Sequence, residues 1–139
     1  MSLEVIVYIL TALAAVVVVL TRLRLRNEEG AGRHKVGTGL LNLHTLFGTL
    51  ALLTWVTFLV MSEDASWNGL LGIVALGCWW VTVLAGLLLL LRWIPSRGRH
   101  ASNAIEDTWS QGPGLSVLAH VGLLVGVLVF SFAYLTSAV

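Results

Sequence analysis

Residues 67–91 read WNGLLGIVALGCWWVTVLAGLLLLL, a run of 25 positions without an Asp, Glu, Lys or Arg. A helix needs about 20 apolar residues to cross the ~30 Å hydrocarbon core of a bilayer. This segment alone therefore places the chain in a membrane. Three further uncharged runs lie outward from it, Val5 to Thr21, Val36 to Met61 and Gly114 to Val139. The whole chain of 139 residues is 58% hydrophobic and 11% charged, with a mean hydropathy of +0.92. Such a composition excludes a water-soluble domain. The expected fold is all-α: a four-helix transmembrane bundle forming one integral membrane domain over residues 1–139, with helices at about 4–21, 36–61, 67–92 and 113–138. The expected surroundings are a lipid bilayer and other membrane subunits, with no nucleic acid.

The first run is not expected to be a cleaved signal peptide. It opens with Glu4, and its arginines, Arg22, Arg24 and Arg26, follow the apolar stretch instead of preceding it. All eight Lys and Arg residues fall in the loops after helices one and three, while the Ser62–Ser66 turn has none. The positive-inside rule then predicts an inner (plasma) membrane protein with both basic loops cytoplasmic and both termini on the opposite face. Trp67 and Trp93 bracket helix three at the headgroup level. In the 94–113 loop, Ser102 or Asn103 is positioned to cap a short surface helix carrying Ile105 and Trp109 on one face.

Several chemistries are excluded or disfavoured. The single cysteine, Cys78, cannot form an intramolecular disulfide or a paired thiol site. No phosphate-binding glycine loop, zinc-protease pattern or intramembrane carboxylate is visible, so a solute carrier ranks low.

What remains is a recurrence. Gly32 opens GRHKVGTGLLNLH and Gly98 opens GRHASNAIEDTWSQGPGLSVLAH; each Gly-Arg-His is followed by Gly-x-Gly-Leu and a second histidine. This reads as two tandem helical hairpins, a parallel internal repeat about an axis along the membrane normal. Counting 1.5 Å per residue, His44 lies about 12 Å inside helix two and His120 about 9 Å inside helix four. Both helices start from the basic face, so the two imidazoles share a depth and a side. Ionisable groups inside hydrocarbon are functional candidates by default.

Small or apolar residues, Gly48 among them, share a helix face with each imidazole and leave room for a flat cofactor. Haem b is the natural occupant, with His44 and His120 as its axial metal ligands and Arg33 and Arg99 as cations for its propionates. The competing reading is a structural pair, each histidine hydrogen-bonding across helices to a hydroxyl or carbonyl, with Thr45, Thr54, Thr57, Thr82 and Ser116 at hand. His34 and His100 sit in the basic loops and read first as solvated residues, with contact to a cofactor or a quinone headgroup as the alternative. Trp55, Trp79 and Trp80 read as aromatic filling. Gly122 and Gly126 form a small-xxx-small face for helix packing.

The segments LNLHTLFGTLAL (41–52) and LSVLAHVGLLVG (115–126) resemble the histidine-bearing helices of small four-helix membrane b-type cytochromes, the cytochrome b561-like group. The resemblance implies haem ligation by His44 and His120. That family commonly holds two haems on four intramembrane histidines; with two such histidines here, it implies at most one. The expected role is electron transfer, as a small haem-b protein or a membrane subunit of a redox complex, and not as a complete enzyme. The alternative is a cofactor-free accessory subunit of a larger respiratory or photosynthetic membrane complex.

Overall fold

A computed structural model describes residues 1–27, 38–61, 66–93 and 114–139. The four expected helices are present: α1 (Leu3–Asn27), α2 (Thr38–Val60), α3 (Asn68–Trp93) and α4 (Gly114–Leu135). By length and composition, α2, α3 and α4 can each cross a membrane, over Gly39–Val60, Asn68–Leu91 and Val117–Leu135. The apolar part of α1, Leu3–Val19, is shorter. Large apolar side chains such as Leu46, Leu53, Leu84, Leu118 and Phe132 point outward, as suits helices surrounded by lipid.

Each helix packs with its neighbours around a ring, α1 to α2 to α3 to α4 and back to α1, so α2 and α4 sit diagonally, as do α1 and α3. The packing is lopsided: α2 lies against α3 far more extensively than α1 lies against either neighbour. The tightest hairpin is thus α2–α3, which straddles the boundary between the two repeats read from the sequence.

Inward stripes follow helical spacing. On α2 they are Gly48, Ala51, Trp55 and Phe58; on α3, Ala75, Trp79, Thr82 and Gly86; on α4, Val127, Phe130 and Ala133; on α1, Val7 and Thr11. Aromatic rings fill the half of the bundle nearest the termini, with centroids 4.8 Å apart for Trp55 and Phe130, 5.8 Å for Trp79 and Phe130, and 5.2 Å for Trp55 and Phe58. Polar ties cross between helices within this apolar mass. The Trp55 indole donates to Thr11 Oγ1 (3.1 Å), Trp80 to Ser131 Oγ (3.2 Å), and the Tyr134 hydroxyl to the Gly69 carbonyl (2.8 Å).

Helix ends differ from the expected ones for local reasons. Ser2 caps α1, its Oγ accepting from the Val5 amide at 3.3 Å, and Glu4 lies in the first turn, where the helix dipole favours an anion. At its other end α1 runs to Asn27, six residues beyond the expected stop, because arginine and leucine propagate a helix well after the apolar run ends. The α4 helix stops at Leu135 and not near 138. Ser137 takes φ 52°, its amide donates to the Tyr134 carbonyl (3.1 Å), and the Ala138 amide donates to the Ala133 carbonyl (2.9 Å). That is a Schellman cap with serine in the left-handed position usually held by glycine. The surface helix expected in the 94–113 loop lies outside the described residues.

Candidate functional site

His44 and His120 each lie six residues after the first described residue of their helices, Thr38 and Gly114, about 9 Å along the axis. They project from diagonal helices into the bundle at the same level. Their ring centroids are 6.0 Å apart and their planes are inclined by 20°. Both residues are half-buried.

The His44 ring is held from α3. Its Nδ1 lies 3.1 Å from the Thr82 carbonyl oxygen. A carbonyl only accepts, so Nδ1 carries the proton, and in the neutral ring Nε2 keeps the lone pair. Metal-binding histidines are oriented in this way, one nitrogen donating to a carbonyl and the other facing the metal. Thr82 is buried, and its own hydroxyl turns back to the Cys78 carbonyl at 2.8 Å. Of the two partner types expected for a histidine here, a hydroxyl or a carbonyl, His44 meets the carbonyl, and it is that of Thr82.

Gly48, one turn beyond His44, is buried against the same residue: a Cβ placed there would meet Thr82 Cγ2 at 3.4 Å. That is at the edge of ordinary van der Waals contact, so α2 and α3 lie side by side just below the imidazole without an overlap at this position. Gly86, four residues after Thr82, faces both rings. A Cβ there would lie 2.7 Å from His120 Cδ2, 3.2 Å from His120 Nε2 and 3.1 Å from His44 Cε1. Neither Gly86 nor the Thr82 carbonyl emerged from the sequence. The available signal was depth: Gly86 lies seven residues before the end of α3, about 10 Å in, level with the histidines.

Among the described residues, no group of three or more His, Cys, Asp or Glu side chains gathers here or elsewhere. Two imidazoles leave most of the coordination sphere of a metal ion to other donors, so this set suits a metal complex that brings its own equatorial ligands. Imidazole nitrogens bind first-row ions at roughly 2.0–2.1 Å, so two rings facing one ion from opposite sides have centroids roughly 6 Å apart. The observed centroid separation is of that size, but the rings are stacked and the α3 backbone at Gly86 lies against both of them.

Arg33, Arg99, His34 and His100 lie outside the described residues. On α4 Gly122 is exposed and Gly126 is buried, and at both an added Cβ would meet nothing within 4 Å, so neither glycine is required for close helix approach among the described residues. The close-approach glycines are on α3, at Gly72, where an added Cβ would press on the Tyr134 ring and lie 3.1 Å from Phe58, and at Gly86. Of the tryptophans, Trp79 is buried in the core below Thr82 with its Nε1 unpartnered. A cavity of about 340 Å³ opens at the end of the bundle carrying the termini, lined by Glu4, Tyr8, Phe58, Met61 and Asn68.

Comparison of the chain with protein-family models, curated proteins and solved structures found no match.

Proposed function

We propose that the protein is a membrane electron-transfer component that holds one haem b between α2 and α4, with His44 and His120 as its axial ligands. The observation that carries this reading is the pair of imidazoles brought together at one level from diagonal helices, with centroids 6.0 Å apart. When bound, haem b would supply reversible one-electron transfer. The chain's own residues do the rest. The Thr82 carbonyl keeps the proton on His44 Nδ1 and so presents Nε2. Arg33 and Arg99, which precede the two histidine-bearing helices in sequence, are the cations assigned to the propionates. The redox partner would be a neighbouring membrane subunit or a lipid-soluble quinone.

In this reading the membrane is the inner (plasma) membrane and both basic loops are cytoplasmic. A C-terminal reporter active only in the cytoplasm would contradict that orientation.

The cofactor-free accessory role rests on a specific observation too, since the His44–Thr82 hydrogen bond already ties α2 to α3 without any cofactor. An absorption spectrum of protein purified from haem-replete cells separates the two. The haem reading expects a low-spin b-type reduced-minus-oxidised spectrum that His44→Ala and His120→Ala each abolish, while His34→Ala and His100→Ala leave it. Replacing Arg33 or Arg99 is expected to shift the midpoint potential. Intact wild-type protein without a Soret band would leave the accessory role as the better account.

A further inference from the structure

The cavity at the end of the bundle carrying the termini lies away from the histidines and has a chemistry of its own. Its volume of about 340 Å³ is at the lower end of the range for ligand sites, roughly 300–1,000 Å³, which is room for a headgroup or a short-chain molecule. All four helices contribute to it. Glu4 and Tyr8 come from the start of α1, Asn68 from the start of α3, Phe58 and Met61 from the end of α2, and Ser137 from the cap of α4. Because α1 and α3 begin here while α2 and α4 finish here, the helix dipoles offset one another. The Glu4 carboxylate therefore sets the sign of the site: no Lys, Arg or His is among the described residues that line it, and the last turns of α2 and α4 hold no basic residue.

Asn68 adds an independent requirement. Its Oδ1 is buried without a hydrogen-bond partner. An acceptor left in that state is costly, and a ligand that brings a donor removes the cost. A carboxylate and an unpaired amide oxygen in one cavity together select a cation with N–H bonds. An anion is repelled by Glu4. A quaternary ammonium satisfies Glu4 but has no N–H for Asn68, and a neutral alcohol satisfies Asn68 but leaves the carboxylate unpaired. A protonated amine does both. The Tyr8 and Phe58 rings supply an apolar wall for its carbon body and a π-system that attracts its charge.

We propose that this cavity binds a protonated amine on a short apolar body, with Glu4 as its counter-charge and Asn68 Oδ1 as its hydrogen-bond acceptor. Such an ammonium group is carried both by ethanolamine lipid headgroups and by free alkylamines. The cavity is level with the ends of the membrane spans at Val60 and Asn68, where headgroups and water meet, so it is open to either source. The inference does not depend on what the histidines hold.

The test uses the full chain in a non-ionic detergent, as wild type, Glu4→Gln and Asn68→Leu, with hexylammonium, hexyltrimethylammonium and hexanoate as probes. Binding is read by titration calorimetry and folding by thermal melting. Wild type is expected to bind hexylammonium about tenfold more tightly than the quaternary probe, the size of one charge-assisted hydrogen bond, and not to bind hexanoate. Glu4→Gln is expected to weaken hexylammonium about three- to fivefold, since Glu4 is exposed and its charge partly screened. Asn68→Leu is expected to erase the preference for the primary over the quaternary amine, a change that a loss of stability alone does not produce. Ser2 still caps α1 in Glu4→Gln, so that variant keeps the test open if Asn68→Leu fails to fold. Native mass spectrometry with added phosphatidylethanolamine, phosphatidylcholine and phosphatidylglycerol separates the two sources. Glu4-dependent retention of phosphatidylethanolamine over the others assigns the site to a lipid headgroup, and hexylammonium binding without lipid retention assigns it to a free amine. Absence of both, equal binding of hexanoate or of the quaternary probe, or a Glu4→Gln protein that binds hexylammonium as wild type does overturns the inference.

Discussion

His44 on α2 and Thr82 on α3 are joined through a ring nitrogen and a main-chain carbonyl, with Nδ1 donating at 3.1 Å. Because the acceptor is backbone, changing the residue-82 side chain does not remove it. Thr82→Val keeps the branched shape against Gly48 and loses only the hydroxyl's bond to the Cys78 carbonyl. The expected outcome is a stability loss of under about 1 kcal/mol, typical of hydrogen bonds between groups in membrane helices, with any haem spectrum unchanged. Thermal melting in detergent and an absorption scan check both halves. A lost spectrum with intact folding would show that the threonine hydroxyl matters to the site.

Trp55 and Thr11 couple α1 to α2 where α1 has few other contacts. The indole of Trp55 donates to Thr11 Oγ1, which donates onward to the Val7 carbonyl at 2.8 Å. All three residues are buried. Trp55→Phe therefore leaves a buried hydroxyl without its donor and vacates part of the aromatic stack on Phe130. The expected cost is about 2–4 kcal/mol, more than the roughly 1 kcal/mol of Thr11→Val, because volume is lost as well as a hydrogen bond. The double variant should cost less than the sum, since each single change already breaks the same bond. Strict additivity in melting experiments would mean that the bond contributes nothing.

How much of this was legible depends on what leaves a mark in one dimension. The helices were, because uncharged runs such as 67–91 have no other stable state in a bilayer. The common depth of His44 and His120 was too, since helical rise is fixed and both helices start from the same end. The Thr82 carbonyl was not, because every residue has one and only tertiary packing selects which is used. The spacing of Gly122 and Gly126 defines a face but not how tightly it packs: Gly126 is buried beside the inward stripe of Val127, Phe130 and Ala133, yet an added Cβ there has room. The end of α4 was missed because its cap uses serine where glycine is the usual sign.

That cap yields a prediction with the opposite sign from most substitutions. Ser137 holds φ at 52°, where an L side chain crowds the backbone at a cost of about 1–2 kcal/mol. Ser137→Gly relieves the crowding but loosens the unfolded chain, which offsets part of the gain. A net stabilisation of about 0.5–1 kcal/mol is expected, seen as a raised melting temperature. Unchanged or lower melting would argue against the left-handed cap.

The last prediction concerns two glycines, of which the sequence marked only Gly126 for helix packing. Gly126 sits mid-helix in a small-xxx-small pattern, yet an added Cβ would meet nothing within 4 Å. Gly72, near the start of α3, is buried where an added Cβ would run into the Tyr134 ring and come within 3.1 Å of Phe58. Those rings have little freedom to retreat: they pack on each other with centroids 5.7 Å apart, and the Tyr134 hydroxyl is bonded to the Gly69 carbonyl. Gly72→Ala should therefore cost about 1–3 kcal/mol, the usual penalty of overpacking. Gly126→Ala should be neutral or stabilising by up to about 1 kcal/mol, because alanine is the better helix former and no neighbour is disturbed. Melting the two variants side by side in one detergent decides the matter. A larger loss for Gly126→Ala would mean that this face of α4 meets another helix, and would restore the packing role read from its spacing.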